Sequence, residues 1–295
     1  MTPLAFALVL LSAVLHAGWS VSIKGSRDPL LFNLLQLAAP FMVTLAVLPV
    51  IHFGEVPPRA WALLAATAVC HTGYFWWLTR ALEHGDLTLV YPIARSTPAF
   101  LPLFAVPLLG ERLSAGGALG IAIVVAGLWL VQAGSGFRLA SFAAPAARYA
   151  WLTLAATVGY GLVDKQAMAD LASAPWSSAV PRSAFWVLML SSTSSLFFVP
   201  LALRARGLRA VAAAARADLV TPSVAAGVSL LGYALILEAL ETAPASYVVA
   251  VRQTSVLFAL ALGVMKLREQ PGRARVAGAA ATVAGVALIA LYGRS

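Results

Sequence analysis

The residues of this chain best placed to do chemistry are charged groups set inside apolar runs. Arg95 lies about nine residues into the run 87–109, which puts it ~13 Å deep at ~1.5 Å per helical residue. Arg252 holds the matching place in the run 245–265. An ionisable group at such depth is costly in hydrocarbon and marks either a solute pathway or a buried pair. A guanidinium there can take a carboxylate bidentately, or tie its helix to the carbonyls and acids of a neighbour. Asp164 and Lys165 sit well inside 148–170. Adjacent helical residues point apart, so the two do not pair with each other. Asp164 can meet Arg252, a ligand ammonium or another structural partner.

Aromatic and polar side chains supply the other candidates. His16, Trp19 and Ser20 share one helical face, Tyr74 and Trp77 another, Tyr91 lies one turn from Arg95, and Tyr160 one turn before Asp164. Apolar walls with a few convergent polar groups suit an amphipathic solute, although the same residues also serve helix packing. Trp61, Trp151 and Trp176 fall near the ends of apolar runs and read as interfacial anchors. Pro92, Pro98, Pro102 and Pro107 crowd one run. Each removes an amide donor and frees a carbonyl about one turn earlier, so that helix should face protein or a wet cavity, with a bent packing helix as the alternative.

The elements that must position these groups are membrane helices. Of the 295 residues, 61% are hydrophobic and 11% charged, against roughly 25% charged in an ordinary soluble domain. Ten segments of about 20 apolar residues, the length a bilayer demands, lie at 3–23, 30–52, 60–82, 87–109, 114–134, 148–170, 182–203, 219–240, 245–265 and 275–293. The first begins without a basic flank and runs on towards Ile23, so it reads as a span, not a secretory leader. The net charge of +9 is scattered through short gaps, which argues against nucleic acid as a partner. Cys70 is the one cysteine, which leaves no disulfide framework.

The two halves repeat. Ala81-Leu82-Glu83 returns as Ala239-Leu240-Glu241, Glu111 as Glu269, Gly120 as Gly278, Val125-Ala126-Gly127 as Val283-Ala284-Gly285, Arg95-Ser96-Thr97 as Arg252-Gln253-Thr254, and Gly73-Tyr74 as Gly232-Tyr233. Five spans per half forces the second half to enter the membrane in the opposite sense, as in secondary transporters. The expected fold is therefore an all-α polytopic membrane protein of ten transmembrane helices, with inverted five-helix repeats at 1–138 and 139–295. Gly116, Gly117, Gly120, Gly127, Gly278 and Gly285 lie within spans and predict close helix packing. Lys and Arg concentrate in the loops after spans 1, 5, 7 and 9, which places both termini on the outer side by the positive-inside rule.

From Arg80 through Leu130 the chain resembles the EamA-type family of the drug/metabolite transporter superfamily. The resemblance is carried by Arg80-Ala81-Leu82-Glu83, the proline-interrupted fourth span, Gly110-Glu111-Arg112-Leu113 and the glycine-spaced fifth span, with Leu267-Arg268-Glu269-Gln270 as a degraded second copy. Within that family it is most similar to YddG-type amino-acid exporters of bacterial inner membranes. The resemblance implies a basket of ten helices around a central cavity, working by alternating access and exporting amino acids or similar metabolites. Relatives that move drugs or nucleotide sugars keep those solutes as alternatives. The glutamate by which four-helix multidrug relatives exchange protons has no counterpart here, because His16 is the only ionisable group of the first span. A membrane-embedded enzyme would need a metal cluster or an activated serine. The four histidines are scattered and no Gly-x-Ser-x-Gly or Walker sequence occurs, so neither catalysis nor a cofactor is expected, and internal duplication makes a monomer sufficient.

Overall fold

A computed structural model describes residues 1–24, 26–84, 87–133, 147–267 and 271–293. Every regular element among them is helical. In chain order these are α1 (Pro3–Lys24), α2 (Pro29–Gln36), α3 (Ala38–Val47), α4 (Pro58–His84), α5 (Leu87–Ala94), α6 (Thr97–Leu109), α7 (Ala115–Ala133), α8 (Ala147–Ser173), α9 (Arg182–Arg206), α10 (Leu208–Ala217), α11 (Val220–Thr242), α12 (Ala245–Arg252), α13 (Thr254–Leu267) and α14 (Arg273–Tyr292). Short 3-10 turns at Leu48–Val50 and Phe53–Glu55 join α3 to α4.

Among the described residues, seven stretches are long and apolar enough to cross a bilayer: Pro3–Ser20, Pro29–Val50, Pro92–Leu109, Ala115–Gln132, Arg182–Arg206, Val220–Thr242 and Arg273–Tyr292. Their outward residues are large and apolar, with Leu108, Leu196 and Val220 each about two-thirds exposed or more, as lipid-facing positions require. Helices α4 and α8 have 27 residues each, ~40 Å at ~1.5 Å per residue, and bring more polar groups.

Three of the runs expected as continuous spans are broken. Asp28 caps α2 by accepting from the amides of Leu30 at 2.9 Å and Leu31 at 3.1 Å, and a kink at Leu37 separates α2 from α3. Helix α5 stops at Ala94 because the Pro98 ring would collide with the carbonyl four residues earlier. The Ser96 hydroxyl then donates to the Pro92 carbonyl at 2.6 Å. The run 245–265 breaks at Gln253 with no proline nearby, and the Thr254 hydroxyl satisfies the Val251 carbonyl at 2.9 Å.

Packing is dominated by α7 against α14, α4 against α8 and α1 against α11. The first pair is the glycine contact expected from spacing. A Cβ on Gly120 would lie 2.8 Å from the Gly285 carbonyl, and one on Gly127 would lie 2.7 Å from the Gly278 carbonyl. Only glycine lets backbones approach that closely. Gly110, at φ +67°, ends α6 in the left-handed region. That turn delivers the Glu111 carboxylate to the start of α12, where it accepts from the Ala245 amide at 2.5 Å and the Ser246 hydroxyl at 2.6 Å. An anion there satisfies orphan amides and complements the helix dipole.

Candidate functional site

A cavity of about 600 Å³ lies inside the bundle. It begins at the level of the two breaks, where Ala94, Arg95 and Thr97 face it from α5–α6 and Val249, Arg252, Gln253 and Ser255 from α12–α13. From there it runs towards the end of the bundle where Ile23, Pro29 and Leu82 line it. The opposite half is filled by side chains no more than 1% exposed, among them Leu101, Leu171, Phe185, Trp186, Leu237 and Tyr247.

Each arginine sits where a helix terminates, Arg252 closing α12 and Arg95 following α5. A cation at a helix C-terminus meets the negative end of the dipole, which lowers the cost of holding it inside the bundle. The Arg252 guanidinium lies over the Tyr233 ring at 5.5 Å, within cation–π range. Both arginines act electrostatically on His16, so their charges converge on one region of the wall.

Aromatic side chains build the surface between them. His16 stacks on Trp19 at 5.1 Å, His71 stacks on Tyr160 at 4.1 Å, and Tyr160 meets Tyr74 and Tyr233 edge-on at 6.0 and 6.2 Å. Trp19 donates its indole N–H to Gln36 at 2.7 Å, and Gln36 donates to Asn33 at 2.9 Å, which fixes an indole–amide strip on the wall.

Of the residues singled out in the sequence, His16, Trp19, Ser20, Tyr74, Arg95, Tyr160 and Arg252 line the cavity. The side chain of Tyr91 lies outside the described residues. Trp77 is not on the wall: it turns back along α4 and fills the space a Cβ on Gly73 would need. Asp164 is likewise absent from the wall, 0% exposed, accepting from Trp186 Nε1 at 2.9 Å and from the Tyr233 hydroxyl. It joins α8, α9 and α11 and meets no solvent, so its direct contact with a solute is not what the fold provides. Lys165 donates to the Leu240 and Ala243 carbonyls at 2.5 and 3.0 Å, closing the end of α11.

Sequence reasoning passed over His71, Asn33, Gln36, Tyr233 and Gln253, all on the wall. Two of them carried a signal. Tyr233 belongs to the repeated Gly-Tyr pair, and Gln253 follows the repeated arginine.

Comparison with known proteins agrees with this architecture. The model of the EamA-like transporter family matches the chain twice, over 3–133 and 149–291. A curated relative, an uncharacterized transporter in the cobO 3′ region of Sinorhizobium sp., is 36% identical over 82 residues, covering 26% of this chain and 55% of the relative. The chain thus spans about half the length of that relative. A solved crystal structure of another protein superimposes with a TM-score of 0.70 at 18% identity, over 100% of this chain and 98% of its own.

Proposed function

The chain belongs to the EamA-like transporter family, and from that premise we propose that it is a secondary transporter that exports amino acids or similar small metabolites by alternating access. The observation that carries this reading is the cavity of about 600 Å³ set at two helix breaks, each marked by an arginine. Discontinuous helices that meet near the midplane are how secondary transporters bring backbone groups and charges to a solute. The volume suits a solute of that size, buried on most sides.

We extend the reading to ten spans. Helices α4, α8 and the α12–α13 pair join the seven most apolar stretches, because polar residues along them such as Thr67, Thr72, Thr153, Asp164, Ser246 and Thr254 are buried and lipid needs to meet only their outer sides. The halves 1–138 and 139–295 act as inverted repeats. The double family match supports this, and so does reciprocal packing, with α1 on α11 and the corresponding α8 on α4. The chain operates as a monomer, for which the internal duplication suffices, in a bacterial inner membrane, as the resemblance to YddG-type exporters implies, with both termini outside, a placement that rests on loop charge. The amino-acid preference rests on the resemblance to YddG-type exporters.

Counterflow tests the function. Proteoliposomes of the purified protein, preloaded in turn with amino acids of each charge type, a nucleotide sugar and a cationic drug, should show saturable exchange of amino acids or close derivatives alone. Exchange of the drug or nucleotide sugar instead overturns the solute class, and no exchange of any solute overturns transport.

A further inference from the structure

The connection between α9 and α11 is itself a helix, α10, and none of its residues is buried. Arg182–Arg206 and Val220–Thr242 are both membrane-crossing stretches, so a segment that leaves one and enters the other begins and ends at the same membrane face. Gly207, at φ +78°, makes the corner that turns the chain out of α9. Arg206 pins that corner to Asp28 and Glu83. Val211 packs on the cluster of Leu30, Leu34, Phe198 and Ala202. Helix α10 therefore lies along the open end of the bundle, against α2 and α9, at the level where α9 leaves the hydrocarbon.

At ~100° per residue, Leu208, Val211, Ala212 and Ala215 share one arc of α10, and Arg209 and Arg216, seven residues apart, share a line beside it. Val211 turns to the bundle, while Leu208 is 73% exposed and both arginines are exposed. Arg204, in the last turn of α9, and Arg27, next to the Asp28 that Arg206 holds, are exposed at the same corner. Asp218, which follows α10, is directed to α11, where it accepts from the Thr221 amide at 2.9 Å. An apolar arc flanked by arginines is the pattern of a helix resting in the membrane interface, its aliphatic side among acyl chains and its guanidiniums at the phosphates. A guanidinium takes phosphate oxygens bidentately. A zwitterionic headgroup sets its own ammonium against that contact, whereas an anionic one does not.

We propose that α10 is an interfacial anchor whose Arg209 and Arg216 bind the headgroup of an anionic phospholipid, with Leu208 set into the acyl region beside it. The lipid braces the corner of α9, α10 and α2 at the open end of the bundle, and the contact is independent of which solute the cavity carries.

Quenching by lipid tests this in the full chain. Leu208→Cys, in a background where Cys70→Ser removes the native cysteine, would carry a fluorophore in nanodiscs of phosphatidylcholine and phosphatidylglycerol, one or the other brominated on its acyl chains. The preference for phosphatidylglycerol, read from quenching against mole fraction, should be about fivefold and should fall at high salt. Arg209→Gln combined with Arg216→Gln, checked for folding by its melting curve in detergent, should lose the preference, and Arg209→Lys with Arg216→Lys should keep it. In the unlabelled protein phosphatidylglycerol should also raise the melting temperature, and the glutamine pair should cancel that rise. Equal quenching by the two lipids, or a preference that survives the glutamine pair, would overturn the assignment. Quenching by neither would mean that water or a second copy of the chain covers this face, and would equally overturn it. A preference abolished by millimolar inorganic phosphate would assign the arginines to a soluble anion and overturn the lipid.

Discussion

The carboxylate of Asp164 shows how one buried group orders several helices. It accepts from Trp186 on α9 and Tyr233 on α11, and Tyr233 in turn supports the Arg252 guanidinium. An asparagine can accept from Trp186 with its oxygen, but its amide must then donate to the Tyr233 hydroxyl, which reverses that bond and removes the charge that strengthens both. Asp164→Asn should therefore cost ~1–3 kcal/mol of stability, read as a lower midpoint in thermal or denaturant unfolding in detergent. A fully wild-type midpoint would show that the triple holds nothing together. A second residue of this kind is Arg206, which pairs with Asp28 at 2.7 Å and Glu83 at 2.9 Å. Burial pushes the Asp28 carboxyl up, but the Arg206 hydrogen bond, the amides of Leu31 and Leu30 and the Arg206 charge outweigh it and hold it below the usual range. A lowered carboxyl stabilises the fold above its unfolded value and loses that contribution as pH falls through the folded value. The melting-temperature gap between wild type and Arg206→Ala should thus be present at neutral pH and close below about pH 4. A gap of constant size down to pH 3 would mean the pair is not ionic in effect.

At the scale of elements, what sequence made legible was what local chemistry dictates. Pro98 announces the break after Ala94, and repeated glycines announce the α7–α14 contact, because both effects act within one helix turn or one small surface. The break at Gln253 had no such mark, since no proline causes it and its carbonyl is satisfied by a threonine. The polar residues of the wall were half legible. Arg95 and Arg252 stand out because charge inside an apolar run is rare, whereas Asn33, Gln36 and His71 are single polar residues whose direction depends on how each helix is rotated by its neighbours. Asp164 was legible as important and not as walled off, because its partners lie 22 and 69 residues away. The glycine contact yields a sharp contrast. A Cβ on Gly278 would lie 2.5 Å from the Val131 amide nitrogen and 2.6 Å from the Gly127 carbonyl, while one on Gly227 would meet nothing within 4 Å. Gly278→Ala should destabilise by ~1–3 kcal/mol, as overpacking against backbone does. Gly227→Ala should be neutral or stabilise by up to ~1 kcal/mol, because alanine favours the helix. Equal unfolding midpoints for the two variants would refute the close α7–α14 approach.

The whole molecule is asymmetric across the membrane. Polar groups and open volume occupy the half towards Ile23, Pro29 and Leu82, where Arg206 clasps α2 to α4, and apolar side chains fill the half towards Leu171, Leu237 and Tyr247. The alternating access proposed above requires the reverse arrangement to be reachable, so the closed half should be held by a few separable contacts. Glu111 on the start of α12 and Lys165 on the end of α11 are such contacts. The helix ends that lead into the lysine- and arginine-bearing loops, those of α1, α7, α9 and α13, lie at the same end as the open half. On the orientation proposed above, with positive charge retained inside, the cavity of this conformation faces the cytoplasm. Thiol labelling can read that directly in a background where Cys70→Ser removes the native cysteine. Ser229→Cys, on the wall, should react with a membrane-impermeant maleimide in inverted vesicles and resist it in right-side-out ones, and a transported solute should slow the reaction. Leu237→Cys, 0% exposed in the packed half, should resist from both sides. Labelling of Ser229→Cys from the outside alone would reverse the assigned orientation, and ready labelling of Leu237→Cys from the outside would mean that the packed half, and not the clasped one, is where this protein rests open.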